Sequence, residues 1–171
     1  MSDRKPSNSS SAAAATYLRA QWEHYFRLNI SAINALLFVG GQFSPSQWPR
    51  MHSLGLRAVL SLQAERPDRF SGPPPAQTLR IAVPDFVAPT LDQFAEGVAF
   101  ITTAHAADLP VLVHCHAGIG RAPIMAAAYM VAQQGLTPAE ALELLMEARP
   151  MVDPNREQLD RLVQWADYCR R

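Results

Sequence analysis

Val111-Leu112-Val113-His114-Cys115-His116-Ala117-Gly118-Ile119-Gly120-Arg121-Ala122-Pro123 runs from an apolar strand, through a glycine-bearing loop, into a helix. Val111 to Val113 is apolar at every position, as expected of a parallel strand covered on both faces. Residues Ile124 to Gln134 carry the helix that follows. Cys115 therefore stands at the base of a loop that Arg121 closes, facing backbone N–H groups and a positive helix end. Such a loop binds a phosphate dianion. Helix N-termini and cationic neighbours also lower a thiol's pKa from its usual value of about 8.5. The sulfur would then be a nucleophile held against bound phosphorus.

The flanking sequence supplies the rest of an α/β domain. Leu36 to Val39 predicts a strand stopped by Gly40-Gly41, and Ser44-Pro45 opens a short helix ending at Gly55. Ala58 to Leu62 and Leu79 to Val83 predict two more strands. They are separated by an irregular connection over residues 65–77 that holds Pro67 and Pro73-Pro74-Pro75. Thr90 with Gln93 forms a capping box for a long helix reaching about His105. Thr137-Pro138-Ala139-Glu140 opens another, to about Arg149, and Asp153-Pro154 is expected to cap a last helix running to about Cys169. Residues 1–15 read as a disordered Ser/Ala-rich tail. Residues 16–29 read as an added helix with Tyr17, Leu18, Trp22, Tyr25 and Phe26 at helical spacing. The main domain is expected over 30–171.

The chain has 171 residues, is 49% apolar and carries no formal net charge. That suits one domain with a substantial core. It offers no basic field for nucleic acid or an anionic membrane. No apolar run approaches the roughly 20 residues of a membrane span. A working Cys115 must be a free thiol, so a reducing, cytoplasmic setting is expected.

Arg121 presents a planar fork that can grip two phosphate oxygens. A cation at a helix start opposes the dipole unless an anion is bound there, which favours that role. Gly118 and Gly120 allow the backbone to turn its N–H groups inward. His114 is expected to hydrogen-bond within the loop. His116 either touches substrate or sits at the rim, and Ala117 and Ile119 complete the loop. A buried structural cysteine would explain neither Arg121 nor the glycines. His114-Cys115-His116 as metal ligands lacks a second pair at ligand spacing, so no metal or other cofactor is expected. The leaving oxygen needs a proton, and Asp85, after a strand and Pro84, is the best-placed acid. Asp92 is explained by helix capping, and Asp68 lies in the proline-rich connection.

Cys115 and Arg121 form the Cys-x5-Arg signature, and the chain resembles the cysteine-dependent protein tyrosine phosphatases over about residues 30–170. Val83-Pro84-Asp85-Phe86, Arg149-Pro150 and Asp153-Pro154-Asn155 extend the likeness, whose short length resembles the compact, atypical dual-specificity members. The resemblance implies a central mixed, mainly parallel sheet of four to five strands flanked by helices. It implies two-step hydrolysis of phosphoprotein substrates through a phosphocysteine on Cys115, phosphotyrosine first and phosphoserine or phosphothreonine with it. Asp85 would serve as acid and then base, since the family carries its general acid on this loop.

Ala122 stands where the family usually has Ser or Thr, whose hydroxyl stabilises the departing thiolate. Its absence implies slow turnover. Gly120-Arg121-Ala122-Pro123 resembles the phosphatases of regenerating liver, but Tyr168-Cys169-Arg170-Arg171 offers no prenylation box. Ala122 also leaves room for a low-turnover phosphate-binding adaptor. A phosphoinositide or other non-protein phosphomonoester is the alternative substrate, with only His116 able to add charge inside the loop. Asn155 and Gln158 lie where some family members bring residues to the active site, and they are not counted in the site. Trp22, Trp48 and Trp165 are expected in packing.

Overall fold

In the computed structural model, residues 28–171 are described. The expected tail, and the expected helix as far as residue 27, lie outside them. Leu28 and Asn29 form a turn into the sheet. Five strands, β1 (Ile30–Ala32), β2 (Leu37–Gly40), β3 (Ala58–Gln63), β4 (Gln77–Val83) and β5 (Val111–His114), form one sheet in the order β1-β2-β5-β3-β4. Only β1 runs antiparallel, pairing Ile30 with Gly40. The parallel strands put β5 at the centre between β2 and β3. The mixed, mainly parallel sheet matches expectation. The short edge strand β1 is an addition that three residues could not announce.

Alternation along the strands builds two cores. Leu37, Val39, Leu60, Leu62, Val111 and Val113 face the helices α2 (Leu91–Ala106), α3 (Arg121–Gln134), α4 (Pro138–Ala148) and α5 (Arg156–Cys169). Phe38, Val59 and Leu112 face the other way, onto Trp48 and Met51 of the short helix α1 (Trp48–Ser53) and onto Phe43. A single 3₁₀ turn, Pro45–Gln47, leads into α1. Helix α3 is the central one, with every residue from Arg121 to Val131 buried.

Two helix starts differ from expectation. Helix α3 begins at Arg121 rather than near Ile124. Pro123 is no obstacle in a first turn, where N–H groups have no intrahelical partner anyway. Helix α5 is capped by Asn155, not Asp153-Pro154. Asn155 Oδ1 accepts the Gln158 N–H, and Gln158 Oε1 accepts the Asn155 N–H, both at 3.0 Å. The Asp153 N–H is already committed to the Ile119 carbonyl at 3.0 Å. Among the described residues no helix is long and apolar enough to cross a membrane.

Candidate active site

The site lies outside the carboxyl end of β5, where parallel α/β sheets place their crevices. The chain leaves β5 at His114, turns through residues 115–120 and enters α3 at Arg121. Each carbonyl from Cys115 to Ile119 is taken by a donor on the surrounding scaffold, and that of Gly120 by the Ile124 N–H of α3. Gln63 Nε2 reaches the Cys115 carbonyl at 3.4 Å, and the Gln42 N–H reaches that of His116 at 2.8 Å. Arg149 takes Ala117 through Nη2 at 3.1 Å and Gly118 through Nε at 2.7 Å. Asp153 takes Ile119. With the carbonyls anchored outward, the Gly118 N–H donates to Cys115 Sγ at 3.3 Å.

The two loop glycines serve different needs. Gly118 has φ +72°, and a Cβ there would fall 2.5 Å from the Gly40 carbonyl carbon. Gly120 has φ −116° and needs no left-handed freedom. It makes room for Gln158, whose Oε1 would lie 2.8 Å from an added Cβ.

Arg121 is 1% exposed, and its hydrogen bonds run through Nη1 alone. Its Nη1 donates to Glu65 Oε1 and Oε2 at 2.9 and 3.1 Å and to the Val83 carbonyl at 2.7 Å. Nε has no hydrogen-bond partner. Nη2 lies 3.0 Å from Asp85 Oδ1 as an ion pair, without hydrogen-bond alignment. Two buried donors are thus left on one edge of the guanidinium, and buried donors are seldom left unpaired. A tetrahedral oxyanion suits that edge.

Asp85 is 46% exposed, so its carboxyl is open to solvent beside Arg121. Its loop is pinned by the start of α5. Asn155 Nδ2 donates to the Phe86 carbonyl at 2.6 Å, and Gln158 Nε2 to that of Val87 at 3.4 Å. Phe86 has φ +62° and is itself exposed. The structure therefore brings Asn155 and Gln158 to the site after all, as supports of the Asp85 loop.

His114 is wholly buried and bonds Asp68 Oδ2 through Nε2 at 2.8 Å. His116 sits at the exposed rim, its Nδ1 2.9 Å from Gln42 Oε1. Three residues at the site are not assigned to it from the sequence: Glu65, Asp68, set aside there as an acid, and the buried Arg149. Glu65 and Asp68 both lie just after β3, the strand beside β5, and that was the one available signal. Burial pushes the Glu65 carboxyl up, but its hydrogen bonds and the charges of Arg121 and His116 outweigh this and hold it below the usual carboxylate value. Burial pushes the Arg149 guanidinium down, and the nearby Cys115 charge pulls it back up.

Residues 37–168 match the family model described as "Dual specificity phosphatase, catalytic domain". The chain belongs to this family. Among its relatives, the Drosophila melanogaster dual specificity protein phosphatase Mpk3 is 26% identical over 148 residues, covering 86% of this chain and 36% of the relative. Human dual specificity protein phosphatase 12 is 31% identical over 122 residues, covering 70% of this chain and 36% of the relative. The chain thus spans little more than a third of the length of these relatives. The crystal structure of PTPMT1 in complex with PI(5)P superposes with a TM-score of 0.76 at 24% identity, covering 83% of this chain and 97% of that one. That likeness establishes the dual specificity phosphatase fold.

Proposed function

We propose that this chain is a metal-independent protein phosphatase that hydrolyses phosphotyrosine, and phosphoserine and phosphothreonine with it, through a phosphocysteine on Cys115. The observation that carries the reading is the buried edge of Arg121, whose Nε and Nη2 lack hydrogen-bond partners, at the end of the loop whose Gly118 N–H donates to Cys115 Sγ; a phosphoryl group would satisfy both donors. The Cys115 thiolate attacks phosphorus, and a P–S bond forms as the ester P–O bond breaks. The leaving oxygen takes the proton of the Asp85 carboxyl. Water then attacks the phosphocysteine, Asp85 takes its proton, and the P–S bond breaks to release phosphate and thiolate. Arg121 and the N–H groups of residues 116–121 hold the charge of the transferring group in both steps. A free Cys115 suits a reducing, cytoplasmic compartment, and Cys115 and Cys169 are both unpaired.

Ala122 is buried at the start of α3 and offers no hydroxyl to the leaving thiolate. A charge-assisted hydrogen bond is worth about 1.5–3 kcal/mol, so the second step should be slowed by about tenfold or more. The test is burst kinetics with p-nitrophenyl phosphate on the wild type, Cys115→Ser and Ala122→Ser. A wild-type burst, an inactive Cys115→Ser and faster steady turnover in Ala122→Ser are expected. Phosphate binding without nitrophenol release by any variant would replace the enzyme with a phosphate-binding adaptor.

A further inference from the structure

The connection between β3 and β4 brings two carboxylates to the phosphate loop. Glu65 is accounted for by Arg121. Asp68 instead meets His114, the residue before the thiol. His114 Nε2 lies 2.8 Å from Asp68 Oδ2, and Nδ1 lies 3.4 Å from the Cys115 carbonyl oxygen. A carboxylate and a carbonyl are both acceptors, so a ring that serves both carries a proton on each nitrogen. A cation in that fully buried position needs an opposite charge, and Asp68, with its side chain 15% exposed, supplies one.

The connection is held so that Asp68 stays there. Phe70 packs on Trp48 and Phe43 with ring centroids 5.0 and 5.9 Å apart. Trp48 Nε1 donates to the Pro73 carbonyl at 2.6 Å, and Ser71 Oγ to that of Pro45 at 2.7 Å. Phe43 stands edge-on to His114 at 5.1 Å and brings no charge. The other charged groups around the loop are engaged elsewhere. Arg121 binds Glu65 and Asp85, Arg149 binds the loop carbonyls, and His116 binds Gln42.

We infer that Asp68 is a positioning residue for Cys115: its carboxylate holds His114 as an imidazolium, and that buried cation, next to Cys115 in the chain, stabilises the thiolate. The consequence for turnover rests on the phosphatase reading, whereas the thiolate itself is measured without turnover.

The experiment uses the full chain in a Cys169→Ser background, so that Cys115 is the thiol followed. The rate of iodoacetamide alkylation is recorded against pH for the parent, Asp68→Asn, His114→Asn and the double variant. Asp68→Asn is expected to move the profile up by about one pH unit, roughly a tenfold loss of thiolate on its acid side. In the His114→Asn background the same change should add nothing. An unmoved profile in an Asp68→Asn protein that melts like its parent overturns the inference. So does an equal shift in the absence of His114. If Asp68→Asn does not fold, nitrogen-15 shifts of His114 in the parent protein decide, and a neutral ring at pH 7 overturns the inference. Hydrolysis of p-nitrophenyl phosphate is measured alongside. A shifted profile without hydrolysis removes the phosphatase reading and leaves the Asp68–His114 pair, while hydrolysis with an unmoved profile does the reverse.

Discussion

Replacing Arg149 by Met should unfasten the phosphate loop from the scaffold. The guanidinium donates to the Gly118 carbonyl at 2.7 Å, the Ala117 carbonyl at 3.1 Å, Asn29 Oδ1 at 2.7 Å and Ser31 Oγ at 3.3 Å. Met refills much of the stem but leaves these acceptors without a donor. Stranding the buried Gly118 carbonyl costs about 1–3 kcal/mol, and the Ala117, Asn29 and Ser31 acceptors, which water can reach more easily, add less each. They share one side chain and do not add in full, so a total of about 2–4 kcal/mol is expected. That is a large part of a typical domain stability of roughly 5–15 kcal/mol. At about 2–4 °C per kcal/mol for a chain of this size, the melting temperature should fall by roughly 10 °C. The assay is equilibrium urea unfolding followed by tryptophan fluorescence, for which buried Trp48 and Trp165 serve as reporters. Arg149→Lys keeps the charge but has a single head and cannot span both loop carbonyls and Asn29, so it should recover less than half of the loss. A Met variant within about 1 kcal/mol of wild type, with unchanged denaturant slope, would refute the reasoning: water would then satisfy the loop as well as Arg149 does.

Two further outcomes follow from the same geometry. Gly118→Ala should cost more than about 3 kcal/mol in urea unfolding, because its Cβ meets the Gly40 backbone at a left-handed φ, whereas Gly120→Ala meets only the Gln158 side chain and should cost clearly less. Burial holds the His105 pKa below its usual value of about 6.5, against the Leu36 carbonyl hydrogen bond that raises it. The unfolded chain therefore binds the proton more readily, so this part of the stability is complete above about pH 6.5 and is lost as the pH falls through that value toward the lower folded one. Urea midpoints at pH 7.5 and 5 should show a loss on the acid side that shrinks in His105→Gln.

The fold was legible wherever local chemistry settles local structure. Val111–His114 reads as a buried strand because all of its side chains are covered. The Thr90/Gln93 and Thr137/Glu140 capping boxes mark α2 and α4 because each closes its own hydrogen bonds within four residues. Asp153-Pro154 misled because Asn155 and Gln158 close a reciprocal capping box two residues further on, which sets the helix start there. That Arg121 and Asp85 come within 3.0 Å of each other follows from a loop motif and a strand end. Glu65, Asp68 and Arg149 were not legible as site residues. They reach their partners across 56, 46 and 31 positions from irregular segments, where no periodicity says which way a side chain points.

Connections between strands are ordinarily where a fold accepts insertions and deletions most freely. The stretch from Ala64 to Ala76 is an exception to that freedom, because it is registered at both ends of a short span. Glu65 must keep its hold on Arg121 while Asp68 keeps its own on His114, and only Arg66 and Pro67 lie between them. One residue added there would pull one carboxylate off its partner. Chains descended from this one should therefore vary in length after Pro73, where the ties through Ser71 and the Pro73 carbonyl end, while the Glu65-to-Asp68 spacing stays fixed.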